Sequence, residues 1–200
     1  MNTVSKRSLI FLKTAVWIGC LAPLGRLLYR GLTTGLGANP IEFVTLSTGT
    51  WTLVFLLTTL AITPLRRLAG QNWLIKFRRL VGLFAFFYAC LHFTTYIWLD
   101  KFFDLAEILK DITKRPFITA GFLAFVLLVP LALTSTAGAI RRLGRRWQLL
   151  HSLIYVSSSA AVVHYWWKVK ADIRQPALYA AILAALLLLR LMGRLARPHT

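Results

Sequence analysis

Four histidines occur among the 200 residues, and three of them, His92, His151 and His164, stand inside long apolar runs. An imidazole in such surroundings needs a hydrogen-bonding partner or a metal, because an unpaired polar group in hydrocarbon is costly. Two uses are open to it: bonding from helix to helix, and axial ligation of haem iron by a neutral ring nitrogen. A proton relay would need carboxylates within the same runs, and Glu42 and Asp100 fall only at their ends. Three imidazoles among so few polar core residues point to b-type haem. The fourth, His199, lies in a polar tail and is given no role. Cys20 and Cys90 are far apart and form no CxxC pair, so neither a zinc site nor a dithiol is available and both read as incidental buried residues.

The elements that must hold these histidines follow from composition. Hydrophobic residues make up 58% of the chain and the mean hydropathy is +0.65, more apolar sequence than a soluble core of this length requires. The net charge is +18, from 24 basic and 6 acidic residues. That balance alone would fit nucleic acid, but the basic residues cluster between apolar runs of membrane length, which excludes nucleic acid as a partner. Runs near 9–28, 42–63, 80–99, 117–137, 149–167 and 177–193 can each cross a hydrocarbon core of about 30 Å at about 1.5 Å per residue. Lipid offers backbone groups no partners, so the spans must be helical. The expectation is an all-α integral membrane bundle of six transmembrane helices, a single domain over 1–200 with no evident repeat. The basic, then apolar, start resembles a signal peptide without a small-residue cleavage site and is read as a retained first helix.

Loop charge sets the direction. Lys6, Arg7 and Lys13, Arg66 to Arg79, Arg141 to Arg146, and Arg190 to Arg197 fall on one side with no acid among them, while the other side holds all 6 acidic residues. Positive charge stays inside, so both termini are expected in the cytoplasm, with the chain crossing its membrane several times. On the outer side, residues 100–115 place Phe102, Phe103, Leu105, Ile108, Leu109 and Ile112 on a helical stripe. This reads as a short amphipathic helix that either caps the bundle or docks a periplasmic partner. Trp51, Trp73, Trp98, Trp147, Tyr165, Trp166 and Trp167 mark the interfaces, most of them as anchors in lipid.

Depth then sorts the histidines. The third span runs outward from Arg79 and the fifth from Arg146, which puts His92 and His164 at similar periplasmic depth, fit to ligate one haem from facing helices. His151 precedes His164 by thirteen residues, a rise of roughly 20 Å, towards a second, inner redox centre. On an ideal helix the two side chains diverge by about 140°, so a bend or unwinding is needed to turn both inward. No histidine matches the depth of His151 in the third span. Arg78 is nearly four turns before His92 on the same face; it either serves a haem, at the propionates or the iron, or is ordinary inside charge. Arginine seldom ligates iron, because it keeps its proton. Arg79 is read as ordinary inside charge.

The runs RRLVGLFAFFYACLHFTTYIWLD (78–100), RRLGRRWQLLHSLIYVSSSAAVVHYWWKVK (141–170) and TGTWTLVFLLTTLAITPLRR (48–67) resemble the MsrQ family, formerly YedZ. These are haem-binding membrane subunits of methionine sulfoxide reductase systems, within the ferric-reductase-like transmembrane group. The resemblance covers nearly the whole chain, and W-x-x-x-H…H-Y-W-W at 147–167 is its most specific part. It implies haem b, one or two, and association with FMN. It also implies electrons drawn from the quinone pool or a cytoplasmic flavin reductase and delivered to a periplasmic molybdopterin subunit, MsrP. By the same resemblance His92, His151 and His164 are haem histidines, and Arg78 stands where the wider group has a fourth. No GxGxxG loop is present, so the electrons are expected from a separate donor, and no substrate-reducing site is expected in the chain itself. Two other classes stay open: a transporter with helices broken at Pro23 and Pro130, and a structural membrane partner whose histidines only pack.

Overall fold

The computed structural model describes residues 5–195; Arg197 and His199 lie outside the described residues. All regular elements among these are helical: α1 (Lys6–Leu32), α2 (Pro40–Leu68), α3 (Ile75–Thr94), α4 (Leu105–Lys114), α5 (Pro116–Leu133), α6 (Ala137–Leu143), α7 (Arg145–His151), α8 (Leu153–Lys168) and α9 (Arg174–Leu195). The starts are set locally. Ser5 caps α1 through the Ser8 N–H, Asn39 caps α2 through the Glu42 N–H with Pro40 in the first turn, and Thr136 caps α6 through the Ala139 N–H. Pro23 and Pro130, the two candidate breaks, lie inside continuous helices.

Contacts gather the chain into two compact units, residues 1–104 and 105–200. In the first, the short connection after α2 brings α3 back antiparallel along it, and the two helices form the main contact of the unit. Leu56, Leu60, Ala85 and Tyr88 are almost completely enclosed there. The Tyr88 hydroxyl reaches α1, accepting the Leu24 N–H at 3.0 Å and donating to the Cys20 carbonyl at 2.9 Å. It thus bridges a donor and an acceptor one helical turn apart, beside Pro23, where the ladder is already weakened. Only 6% of the apolar window of α1 is buried; Phe11 and Ile18 face outward, as expected when the solvent is lipid, while Trp17 packs edge-on against Phe84 of α3.

In the second unit α5 packs on α8. Ser157 and Ser158 are completely buried at this contact, and Ser157 Oγ donates to the Ala124 carbonyl at 2.9 Å. Small hydroxyl residues let two backbones approach and bond across the gap. Cys20 is buried and Cys90 half-buried, both as free thiols.

Among the described residues, five helices are long and apolar enough to cross a membrane. The expected span 149–167 is not among these five: it is divided between α7 and α8, which are interrupted at Ser152. There the Ser152 N–H reaches the carbonyls of both Gln148 and Leu149 at 3.1 Å, a tightened turn that resets the helical phase. The interruption falls between His151 and His164, where the sequence calls for a bend or local unwinding.

The outer segment differs from expectation. Its helix begins only at Leu105, and Phe102 and Phe103 stand before it in left-handed turn conformation, with φ of 47° and 62°. The preceding α3 ends in a π turn, Thr95–Asp100, and the chain reverses there through bonds from Phe103 N to Ile97 O and from Asp104 N to Lys101 O. The two phenylalanines therefore do not extend the stripe of α4, which buries Ile108 and leaves Leu105 and Leu109 exposed.

Replacing Tyr88 by Phe removes both bonds to α1. A thermal melt in detergent should show a loss of about 1 kcal/mol, with the absorption spectrum of any bound chromophore unchanged; unaltered stability would contradict the bridging role.

Candidate functional site

His92 lies in the last turn of α3, level with the first turns of α2. Its Nδ1 is 2.9 Å from the Thr45 carbonyl. A carbonyl oxygen only accepts, so Nδ1 carries the proton and the ring lone pair belongs to Nε2. The ring also lies against Gly49: a Cβ built there would stand 2.9 Å from His92 Cε1 and 3.0 Å from Nδ1. Thr95 Oγ1 ties the end of the helix by donating to the His92 carbonyl at 2.8 Å.

His164, in the last turns of α8, is held in the same way. Its Nδ1 is 2.6 Å from the Phe117 carbonyl in the first turn of α5. A Cβ on Gly121 would come within 2.7 Å of Nδ1 and 2.9 Å of Cε1. In both units the carbonyl precedes its histidine by 47 residues, and a glycine follows the carbonyl by one helical turn. A local repeat that the sequence does not display is thus built twice in space. Both rings are half-buried, and Nδ1 anchored to a carbonyl is the form in which an imidazole offers Nε2 to a metal. These two histidines fit haem iron.

His151 is placed differently. Its ring stacks on Trp147 at 3.9 Å between centroids and 26° between planes, and its Nε2 is 3.1 Å from Thr134 Oγ1. The Thr134 hydroxyl is also 2.6 Å from the Pro130 carbonyl; with its proton directed there, the Nε2 of His151 is the donor. Trp147 Nε1 donates in turn to the Thr134 carbonyl at 3.0 Å. Trp147 is therefore a packing partner of His151, whereas Trp98 and Trp167 are exposed. Ligation of iron through Nε2 of His151 requires the bond to Thr134 to be exchanged.

Arg78 is half-buried on α3 and Arg79 is exposed. The interval from Arg79 to His92 equals that from His151 to His164, thirteen residues in each case. Burial thus singles out Arg78, and spacing singles out Arg79. Of the expected site residues, His92 and Arg78 belong to the first unit, and His151 and His164 to the second. Sequence reasoning does not find Gly49, Gly121, the carbonyls of Thr45 and Phe117, or Thr134. The shared interval of 47 residues is the available signal, and it carries no meaning until helix pairing is known.

Residues 45–162 match the family described as ferric reductase like transmembrane component. The chain is 59% identical over 189 residues to the protein-methionine-sulfoxide reductase heme-binding subunit MsrQ of Herminiimonas arsenicoxydans, covering 93% of this chain and 87% of that one. It is 55% identical to the protein of the same name from Ralstonia nicotianae, over 92% of this chain and 86% of the other. With that of Xanthomonas campestris pv. campestris strain 8004 the identity is 52%, over 96% and 91%. No solved structure matches the chain.

The tautomers are directly measurable. In haem-free protein labelled with 15N-histidine, His92 and His164 should carry the proton on Nδ1 and His151 on Nε2, read from the ring nitrogen shifts. The same tautomer at all three would contradict the geometry.

Proposed function

The chain belongs to the ferric-reductase-like transmembrane family, among its MsrQ haem-binding subunits, and we propose that it is the cytochrome b-type conduit of a methionine sulfoxide reductase system. It is a multi-pass inner-membrane protein, and its haem role is membrane electron transfer. The observation that carries the proposal is the twofold anchoring of Nδ1 at His92 and His164. We assign these two as axial ligands of one outer haem, paired only on their matched depth in the sequence.

Bound haem supplies a one-electron carrier. The chain's own part is to fix the ligand rings, keep water out with apolar helix faces, and set the potential through the bonds on the far side of each imidazole. An inner haem at His151 is the second part of the proposal, with Arg78 beside it at the propionates or the iron. There the Thr134 bond is the first to give way. Charge asymmetry between the loops supports cytoplasmic termini. Family resemblance supports a periplasmic molybdopterin partner, MsrP, electrons from the quinone pool or a cytoplasmic flavin reductase, and an associated FMN.

Purified protein made with ample haem supply should show a b-type spectrum on dithionite reduction. His92→Ala and His164→Ala should each abolish the outer haem signal, and His151→Ala should remove or alter only the inner one. Colourless protein, or a spectrum that survives both outer substitutions, would overturn the assignment.

A further inference from the structure

The two histidines of the outer site are anchored by a feature that neither of them supplies. In an α-helix each Cα–Cβ bond tilts towards the N-terminus, so a side chain covers the turn before its own Cα. The carbonyl of one residue is therefore shielded by the side chain one turn later. Thr45 is followed at that distance by Gly49, and Phe117 by Gly121. At these two places the carbonyl is uncovered, and at both a histidine from the antiparallel neighbour lies on the bare glycine with Nδ1 at the carbonyl.

We propose that Gly49 and Gly121 are positioning residues for haem. Each exposes the carbonyl lone pair that binds Nδ1–H, and each thereby fixes the ring tautomer and presents Nε2 to iron. The proposal rests on His92 and His164 being the ligands. Its force comes from repetition: different helices and different flanking residues produce the same three-part contact. The other helical glycines among the described residues show no such relation. A Cβ on Gly82 would meet Thr59 only at an ordinary 3.5 Å, and one on Gly19 or Gly25 would meet nothing.

A carbonyl bonded to Nδ1–H makes the imidazole more electron-rich and favours ferric iron. A methyl at either glycine takes the place of the ring, since its Cβ would stand within 3.0 Å of two or three ring atoms. The ring must then move and the bond lengthen or break.

The experiment compares Gly49→Ala, Gly121→Ala and the control Gly82→Ala in full-length protein. It measures haem retained on titration with a competing apo-haem protein, and the midpoint potential of what remains. The two site variants should hold haem about 10- to 100-fold more weakly and show a raised potential, while Gly82→Ala matches the parent. Parent-like retention and potential in both site variants would overturn the proposal. If His92→Ala and His164→Ala also leave haem in place, the ligand assignment itself has failed; if they remove it, only the glycine role has. Should Gly49→Ala not be recovered folded, Gly49→Ala/His92→Ala decides. Restored folding shows that the methyl acts on the ring, and continued failure contradicts the proposal.

Discussion

A protonated ring nitrogen inside a membrane must find an acceptor, and the only abundant acceptors there are helix carbonyls that already serve their own ladders. A carbonyl has two lone pairs, so it can take a second donor, but only where side chains let one approach. The bonds from His92 to Thr45 and from His164 to Phe117 meet that constraint. They require glycine one turn along, close contact between α2 and α3 and between α5 and α8, and a histidine level with the start of the partner helix. The buried serines of α8 and the enclosed Tyr88 and Leu60 belong to the same close packing, which holds each pair near enough for a ring to touch backbone.

His151 shows what happens without such a cradle. Its ring rests on Trp147 and its Nε2 donates to Thr134, a side-chain site rather than a backbone one. The helix is interrupted at Ser152, between His151 and His164. Two histidines that look alike in sequence are thus in opposite tautomers. At the proposed inner haem, Arg78 stands where the resemblance would place a fourth histidine, and His151 is engaged with Trp147 and Thr134.

Much of this is legible in the residues alone. Continuous apolar runs set the number and rough limits of the crossings, because lipid leaves the backbone no other choice. Isolated imidazoles in those runs mark the chemistry, and the quoted motifs around His92 and His164 mark the family. What cannot be read there depends on pairing between helices. Gly49 and Gly121 look like any small residues of a membrane helix until a ring is seen on them. Trp147 looks like an interface anchor until it is found under His151. The stripe from Phe102 to Ile112 looks continuous, because periodicity cannot register the two left-handed residues that divide it. Most helix limits overrun the apolar runs by a turn or so, while α5 ends at Leu133, short of its run to 137, since a helix ends at its caps and not at the edge of the hydrocarbon.

The central claim is that Nε2 of both His92 and His164 is directed to iron by an anchored Nδ1. Pulsed EPR of the oxidised protein carrying 15N-labelled histidine tests it most directly. Two directly coordinated histidine nitrogens are predicted for the outer haem, and both couplings should disappear with the haem in His92→Ala and in His164→Ala. A single coordinated histidine nitrogen, or couplings that persist through both substitutions, would contradict it.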